Sequence, residues 1–353
     1  MAITYKSGRR IQATAADFGT NGSGTPAVAG GWKEVGRTIF GGGGSSISVT
    51  GITDKRYYMI LNDTVQAGAG DHYLQFNTDT GSNYSGRRSA NGAADTTATS
   101  TSEFEANDQT NGSGNLGVSY WSNLATKEKL GLGHFVSGST AGAGNAPYRS
   151  EFTMKWANTS DAISSYQHKG NSNFNSGSEV VVLGWDEDDT HTTNFWEELA
   201  STTLTSAGDN LSSGTISAKK YLWFQAYIIP TGGSANCNLT FNNDTSSNYS
   251  LRYTEGTNEQ TLTGESLISM DVAKKSTPFF INGFVINNSA NEKLSIIHQM
   301  NQDSTGAGNA PTRNEIVGKW ANTSAQITEI DIDNPQVGVD YNTGSMLKVW
   351  GSN

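Results

Sequence analysis

The sequence predicts an all-β protein built of two tandem antiparallel β-sandwich domains of jelly-roll type. Three observations predict it: an internal repeat, short apolar or alternating runs, and a composition rich in turn formers. The chain has 353 residues, 41 of them Gly, and only 16% are charged. A disordered chain has few aromatics and many charges. This one has 8 Trp, 13 Tyr and 13 Phe, enough to fill compact cores. Gly and Asn for turns, with Thr, Tyr, Val and Ile between them, favour short strands joined by loops.

The repeat sets the domain organisation. GAGNAP occupies residues 142–147 and returns at 306–311, an offset of 164. At the same offset Lys155-Trp156-Ala157-Asn158-Thr159-Ser160 returns as Lys319-Trp320-Ala321-Asn322-Thr323-Ser324. Glu128-Lys129-Leu130 returns as Glu292-Lys293-Leu294, His134 as His298, and Arg149 and Glu151 as Arg313 and Glu315. At an offset of 165, Phe76-Asn77 and Ser82-Asn83-Tyr84-Ser85 match Phe241-Asn242 and Ser247-Asn248-Tyr249-Ser250. A period this long marks a duplicated domain, because solenoid repeats run about 20–50 residues. The first copy spans residues 32–185 and the second 196–353. Residues 186–195 form an acidic linker, and residues 1–31 an N-terminal arm without counterpart in the second copy.

Strands follow from the periodicities. Tyr57–Leu61 and Tyr221–Ile229 are apolar and aromatic almost throughout, the pattern of a strand buried on both faces. Tyr73–Phe76 and Asn238–Phe241 alternate, as do Phe152, Met154 and Trp156. Glu179–Leu183 and Met346–Trp350 close the two copies as strands. Residues 121–130, WSNLATKEKL, have helical propensity. Their counterpart, 284–294, carries Asn287, Asn288, Ser289 and Asn291 between two apolar runs, which is turn chemistry. Two copies of one sequence share a backbone, so both segments read as hairpins and no helix is expected. About eight strands remain in each copy, the number of a jelly roll. Glycines 41–44 form a flexible joint between the first strand region and the next.

Charge and cysteine content exclude several classes. The net charge is -10 and the pI about 5.0. Phosphate binding needs clustered Lys and Arg, and Lys6, Arg9, Arg10, Arg87 and Arg88 are too scattered to make a groove, so no nucleic acid is expected. The single cysteine, Cys237, rules out a disulfide framework and a Cys-based zinc site. The first residues lack the apolar run of a secretory signal. No stretch approaches the about 18 apolar residues of a membrane-spanning helix, and no membrane partner is expected.

The order of motifs resembles a known group. An aromatic strand precedes FNxDTxSNYS, then GAGNAPxRxExxxKWANTS, then a closing N-(S/T)-G-S with a strand and Gly. This pattern is similar to the jelly-roll modules of structural proteins in tailed bacteriophages and archaeal tailed viruses, which carry FxxDxGSxY and a terminal (D/N)xGxxxLYG strand. The matching residues are Phe76, Asp79, Gly81, Ser82 and Tyr84, then Phe241, Asp244, Ser246, Ser247 and Tyr249, with end motifs at Gly177–Gly184 and Gly344–Gly351. Ser246 stands where the pattern has Gly, and Trp185 and Trp350 stand where other aromatics are usual. The resemblance implies a jelly-roll fold and a place in the virion.

Several residues are candidates for a site. The repeated polar set Arg149, Glu151, Lys155 and Asn158, with Arg313, Glu315, Lys319 and Asn322, would suit a ligand or glycan. Arg149 and Glu151 lie two apart on a strand and share a face, and Asn158-Thr159-Ser160 is turn chemistry in itself. The set therefore reads first as a record of the shared fold. His134 and His298 align and are the sharpest hint of chemistry. A general base needs an orienting partner, and no GxSxG, HExxH or paired-carboxylate motif accompanies either His. Each sits in an apolar run and reads as a hydrogen-bonded histidine of the sandwich. His72, His168 and His191 lack counterparts and read as loop residues. Asp186, Glu187, Asp188 and Asp189 offer oxygen ligands without EF-hand spacing. Asp331, Asp333 and Asp340 are a weaker acidic group. Asp79 with Asn77, and Asp244 with Asn242, suit capped turns as well as a cation. No catalytic residue, metal or cofactor is expected.

The expected function is that of a non-enzymatic virion structural protein: capsid, head decoration or turret, or tail or fibre component. It would act as a homo-oligomer through contacts with its symmetry mates and other virion proteins. The arm, with Lys6, Arg9 and Arg10, would dock on a neighbouring subunit. The alternative is a carbohydrate-binding module for host-surface glycans, with Trp121, Trp185, Trp223 and Trp350 as stacking platforms. A glycoside hydrolase needs an acid/base carboxylate pair, and nothing in the two copies singles one out.

Overall fold

The structure is a computed structural model that describes residues 28–29, 31–107, 114–186, 190–191, 194–255, 258–270, 276–302 and 304–353. All regular elements among the described residues are β-strands. The first copy contains β1 (Lys33–Ile39), β2 (Gly44–Thr50), β3 (Tyr57–Val65), β4 (His72–Phe76), β5 (Tyr84–Ala90), β6 (Thr96–Thr101), β7 (Phe104–Asn107), β8 (Gly114–Ser122), β9 (Lys129–Ser137), β10 (Tyr148–Trp156), β11 (Ser165–Phe174) and β12 (Glu179–Trp185). The second contains β13 (Glu197–Thr203), β14 (Asn210–Ser212), β15 (Tyr221–Ile228), β16 (Asn238–Phe241), β17 (Tyr249–Glu255), β18 (Asn258–Glu265), β19 (Ile268–Ser269), β20 (Phe279–Ile286), β21 (Lys293–Asn301), β22 (Thr312–Trp320), β23 (Ile330–Asp333) and β24 (Met346–Ser352). Val28–Ala29 pairs separately with Thr190–His191.

Each copy is a jelly roll with a widened sheet. β1, β12, β3 and β8 lie side by side in one sheet, and β2, β11, β4 and β7 in the other. The chain therefore passes between sheets at most connections, as two Greek keys require. β9, β10, β5 and β6 extend the first sheet beyond β8 to eight strands. The second copy repeats the order: β13-β24-β15-β20-β21-β22-β17-β18 over β14-β23-β16-β19.

Among the described residues each copy shows twelve strands in place of the expected eight. β5 and β6 (YSGRRSA and TTATST) are polar and carry no apolar alternation. Their strand conformation comes from backbone pairing and from cover by β7. Gly86 lets the Phe104 ring lie against the backbone, where a Cβ would stand 2.2 Å from it. The hairpin expected at 121–130 is present, with β8 and β9 paired Gly131 to Trp121 and the turn closed by Lys127 N–H donating to Leu124 O at 2.9 Å.

Both cores lie between the two sheets of their own copy. Phe76, Trp121, Phe135, Trp156, Tyr166 and Val182 fill the first, and Phe224, Phe241, Ile297, Trp320, Ile332 and Val349 the second. The motif residues hold matching corners. The Tyr84 hydroxyl accepts from Phe76 N–H at 2.9 Å and donates back to Phe76 O at 3.1 Å, and Tyr249 does the same to Phe241 at 3.0 and 3.4 Å.

The reading of His72 and His168 as loop residues is overturned. Both are fully buried, on β4 and β11, with His72 Nδ1 2.8 Å from His168 Nε2. At the matching positions the second copy carries Cys237 and Ile332, both buried. Two imidazoles that satisfy each other can occupy inward positions of a strand, which an apolar-only alternation test passes over.

Candidate functional site

The outer faces of the two eight-stranded sheets pack against each other. Strand alternation decides which side chains reach this joint. On β12, Val180 and Val182 point into the first core, while Val181 and Leu183 point into the joint. Met59, Leu61, Leu116, Val118 and Val136 join them, facing Tyr221, Phe284, Ile286, Leu294, Ile296 and Val317 of the second copy. The fully apolar runs in β3 and β12 thus belong to strands covered on both sides.

The joint uses opposite halves of the two equivalent faces. On β9, Leu130 and Leu132 are exposed and Val136 is buried; on β21, Leu294 and Ile296 are buried and Met300 is exposed. On β3, Tyr57 is exposed and Leu61 buried; on β15, Tyr221 is buried and Tyr227 exposed. Leu116 of β8 is buried, while its counterpart on β20, Phe280, is exposed. Such a contact is heterologous, because different patches of the same surface meet.

The two rows cross at a polar cluster. His298 Nε2 lies 2.8 Å from His134 Nδ1, and His134 Nε2 faces Glu151 Oε1 at 3.0 Å without an aligned hydrogen bond. Arg149, 3% exposed, holds the centre: its Nε is 3.1 Å from Glu151 and its guanidinium 3.1 Å from Glu259 and 3.7 Å from Glu315. It also donates to Glu315 O at 2.9 Å and to the Thr254 hydroxyl. Burial pushes His134 down to about 3 and His298 to about 4, so both imidazoles are neutral over the physiological range. Burial, with Glu151 beside it, raises Glu315. His134, Glu151 and Glu315 bring ligand atoms within 4.8 Å of one another and could hold a divalent cation. Arg149 already supplies positive charge to the same carboxylates. A cavity of about 370 Å³ adjoins the cluster, lined also by Arg87, Asp95 and Tyr120.

The GAGNAP loop of the first copy completes the joint. The Lys319 ammonium, fully buried, donates to Gly138 O at 3.0 Å and Thr140 O at 2.8 Å. Gly142 N–H donates to the Glu292 carboxylate at 2.5 Å. The Ser250 hydroxyl donates to Asn145 O and Arg252 Nε to Pro147 O, both at 2.9 Å. At the other end, Lys220 lies between Glu179 and Asp63, 2.9 Å from the latter, and Arg37 reaches Glu179 at 2.5 Å. Burial alone would lower Lys220; the charge of Asp63 and the hydrogen bond to Glu179 outweigh it and raise it.

The structure divides the repeated polar set. Arg149, Glu151 and Glu315 come together in one cluster of the joint and Lys319 holds the loop contact elsewhere in it, whereas Arg313 is mostly exposed and Lys155 pairs with Glu128 at 3.0 Å on the surface. Asn158 and Asn322 stand apart as turn caps, accepting from Ser160 and Ser324 N–H at 2.8 Å each. His134 and His298 are hydrogen-bonded as expected, but to each other across the joint. Asp79 accepts from Gly81 N–H, Asn83 and Trp156 Nε1, and Asp244 accepts from Ser246 N–H, Asn248 and Trp320 Nε1, so both serve as turn caps. Lys6, Arg9, Arg10, Glu187, Asp188 and Asp189 lie outside the described residues. Among the four Trp candidates, Trp121 is buried in the first core, and Trp223 and Trp350 stack on each other at 4.7 Å beside the joint. Trp185 stacks on Tyr57 at 5.5 Å and lines an open groove of about 1080 Å³ with Trp32, Tyr120, Leu130, Leu132, Arg87 and Lys155.

Sequence reasoning passed over the apolar rows that flank the joint. Their signal was present: Leu130 and Leu132 alternate with glycines, so an outward row of leucines follows from the pleat.

No protein-family model matches the chain, and no curated protein matches it. A solved structure, the mouse laminin alpha1 chain, domains LG4-5, is similar at 8% identity over 91% of this chain and 91% of that one. Its TM-score is 0.19.

Proposed function

We propose that this chain is a non-enzymatic structural protein of a virus particle, working through contacts with its own copies and with other virion proteins. The observation that carries the reading is the distribution of exposed apolar side chains. Of the ten large hydrophobics exposed among the described residues, Tyr57, Leu130, Leu132, Tyr227, Phe280, Met300 and Met346 all lie on the outer faces of the two eight-stranded sheets. Concentrated exposed apolar surface marks an interaction site. The use of His134 and His298 as a contact between the two jelly rolls, 2.8 Å apart, supports a scaffold role. The resemblance of the motifs to jelly-roll virion modules supports the location in the particle. Protein analysis of purified particles tests this: stoichiometric recovery of the chain supports the reading, and its absence from particles overturns it.

The groove favours a second reading. The Trp185–Tyr57 stack beside Trp32 offers an aromatic platform of the kind that sugars pack on, which would suit a carbohydrate-binding module for host glycans. Binding on a glycan array that is lost in Trp185→Ala would support it, and an array with no binder would count against it.

A further inference from the structure

We infer that this chain associates with itself head to tail, the free half-face of the second jelly roll seating on the groove of the first jelly roll of the next chain. The inference rests on the assembly reading above and adds the partner and the register of contact.

The joint inside the chain has a donor side and an acceptor side. The donor side is the first copy's GAGNAP loop with its neighbouring apolar row. The acceptor side is the second copy's Leu294 and Ile296 row with Ser250, Arg252, Glu292 and Lys319. Each jelly roll carries both sides, so each side exists twice and only one pair is joined within the chain.

The unjoined pair keeps the same chemistry. On the acceptor side of the first copy, Ser85, Arg87, Glu128, Leu130, Leu132 and Lys155 stand where the second copy has Ser250, Arg252, Glu292, Leu294, Ile296 and Lys319. Leu132 is 56% exposed where Ile296 is 1% exposed. On the donor side of the second copy the GAGNAP sequence is identical at 306–311. Its shape is also the same: φ is 91° at both Gly142 and Gly306. Asn145 and Asn309 close the same turn, donating to Ala141 O at 2.9 Å and Thr305 O at 2.8 Å. The first loop is half-buried in the joint and the second lies in solvent beside exposed Met300 and Phe280. A loop that holds its bound shape before contact loses little entropy on docking.

The register follows by equivalence. Lys155 would donate to the carbonyls at 302 and 304 of the neighbour, Ser85 to Asn309 O and Arg87 to Pro311 O, while Glu128 would accept from Gly306 N–H. A heterologous contact closes into a ring if its rotation divides the circle and otherwise grows as a filament. Either product would carry an even number of jelly rolls.

Two variants at exposed positions test this on the full chain by sedimentation and native mass measurement. Leu132→Glu blocks the groove, and Met300→Glu blocks the free half-face. We expect the unaltered chain to form multimers and each variant alone to be monomeric, with association weakened at least about 100-fold by an unpaired charge in an apolar contact. Mixing the two variants should give a 1:1 dimer that grows no further, since each supplies the side the other lacks. Unchanged thermal unfolding of the two monomers excludes misfolding as the cause. An unaltered chain that stays monomeric overturns the inference, as does a Met300→Glu chain that assembles like the unaltered one. A monomeric chain found in purified particles would overturn this inference alone. A chain that passes the mixing test but is absent from particles would overturn only the virion reading.

Discussion

His134 and His298 hold the same position in the two copies of the repeat, and they meet, with His298 Nε2 2.8 Å from His134 Nδ1. Contact between equivalent residues is the mark of a twofold axis. The residues around them break that symmetry. Arg149 enters the joint at 3% exposure, and its counterpart Arg313 stays 68% exposed. The two histidines meet where two oppositely buried rows pass each other.

Arg149 and Arg313 should therefore differ sharply in effect. Arg149→Ala leaves Glu151, Glu259 and Glu315 together in the joint without their shared cation. Removing one partner of a buried charge set costs about 3–5 kcal/mol. Arg313→Ala touches an exposed pair with Glu315 and should change stability by no more than about 0.5 kcal/mol. Urea unfolding of the two variants measures the contrast, and equal losses would contradict the asymmetry of the joint.

Lys319 and Lys155 give a second contrast, one that separates stability from association. Lys319→Ala leaves the buried Gly138 carbonyl without this donor, a loss of about 1–3 kcal/mol, and removes a second, partly exposed bond to Thr140 O. Lys155 is solvent-exposed beside Glu128, and surface pairs of this kind contribute about 0–1 kcal/mol. Lys155→Ala should leave the melting temperature of the monomer nearly unchanged while weakening self-association. Differential scanning calorimetry and sedimentation read the two effects separately.

Much of the fold is legible in the sequence, because the repeat lets one copy correct the other. Asn287 and Asn288 show that residues 121–130 turn back as a hairpin. The doubly apolar runs at Tyr57–Leu61 and Glu179–Leu183 reflect cover on both faces, by the core and by the other jelly roll. The strands β5 and β6 are not legible, since backbone pairing and not side-chain alternation holds them. The joint is hidden for a different reason. Leu130 and Leu294, or Lys155 and Lys319, are the same residues in the same motifs, and burial separates them only through how two whole domains pack. A repeat records what the copies share, whereas the joint depends on which half of each face is covered.

Acid should loosen the joint through Glu179. Burial alone would raise this carboxyl, but the hydrogen bond and charge of Lys220, with Arg37, outweigh it and hold Glu179 below its ordinary range. A group with a depressed folded pKa contributes stability above its unfolded value, about 4.3 for Glu, and loses it as pH falls through the folded value. Glu179→Gln removes that pH-linked contribution and leaves Lys220 with Asp63 as its remaining carboxylate. The variant should be less stable at pH 7 by about 1–3 kcal/mol. The difference from the unaltered chain should narrow below about pH 4. A difference constant from pH 7 to pH 3 would contradict the role assigned to Glu179.

The first jelly roll should lose stability at a milder pH than the second, through His168. Burial, with His72 beside it, holds His168 well below the usual histidine range. The unfolded chain takes up a proton near about pH 6.5 that the folded chain refuses. Stability therefore falls as pH drops below that value, with a slope of about 1.4 kcal/mol per pH unit for one histidine. The second copy carries Cys237 and Ile332 at the matching positions, so it lacks this penalty. Placing the same pair in the first copy, as His72→Cys with His168→Ile, should lower the slope between about pH 6 and 5 by close to that one-histidine amount. Chemical unfolding at a series of pH values measures it. His134 and His298 remain in the variant and keep their share of the acid dependence, so the test is the loss of slope and not its disappearance. An unchanged slope would mean that the His72–His168 pair accommodates a proton in the folded core, against its burial.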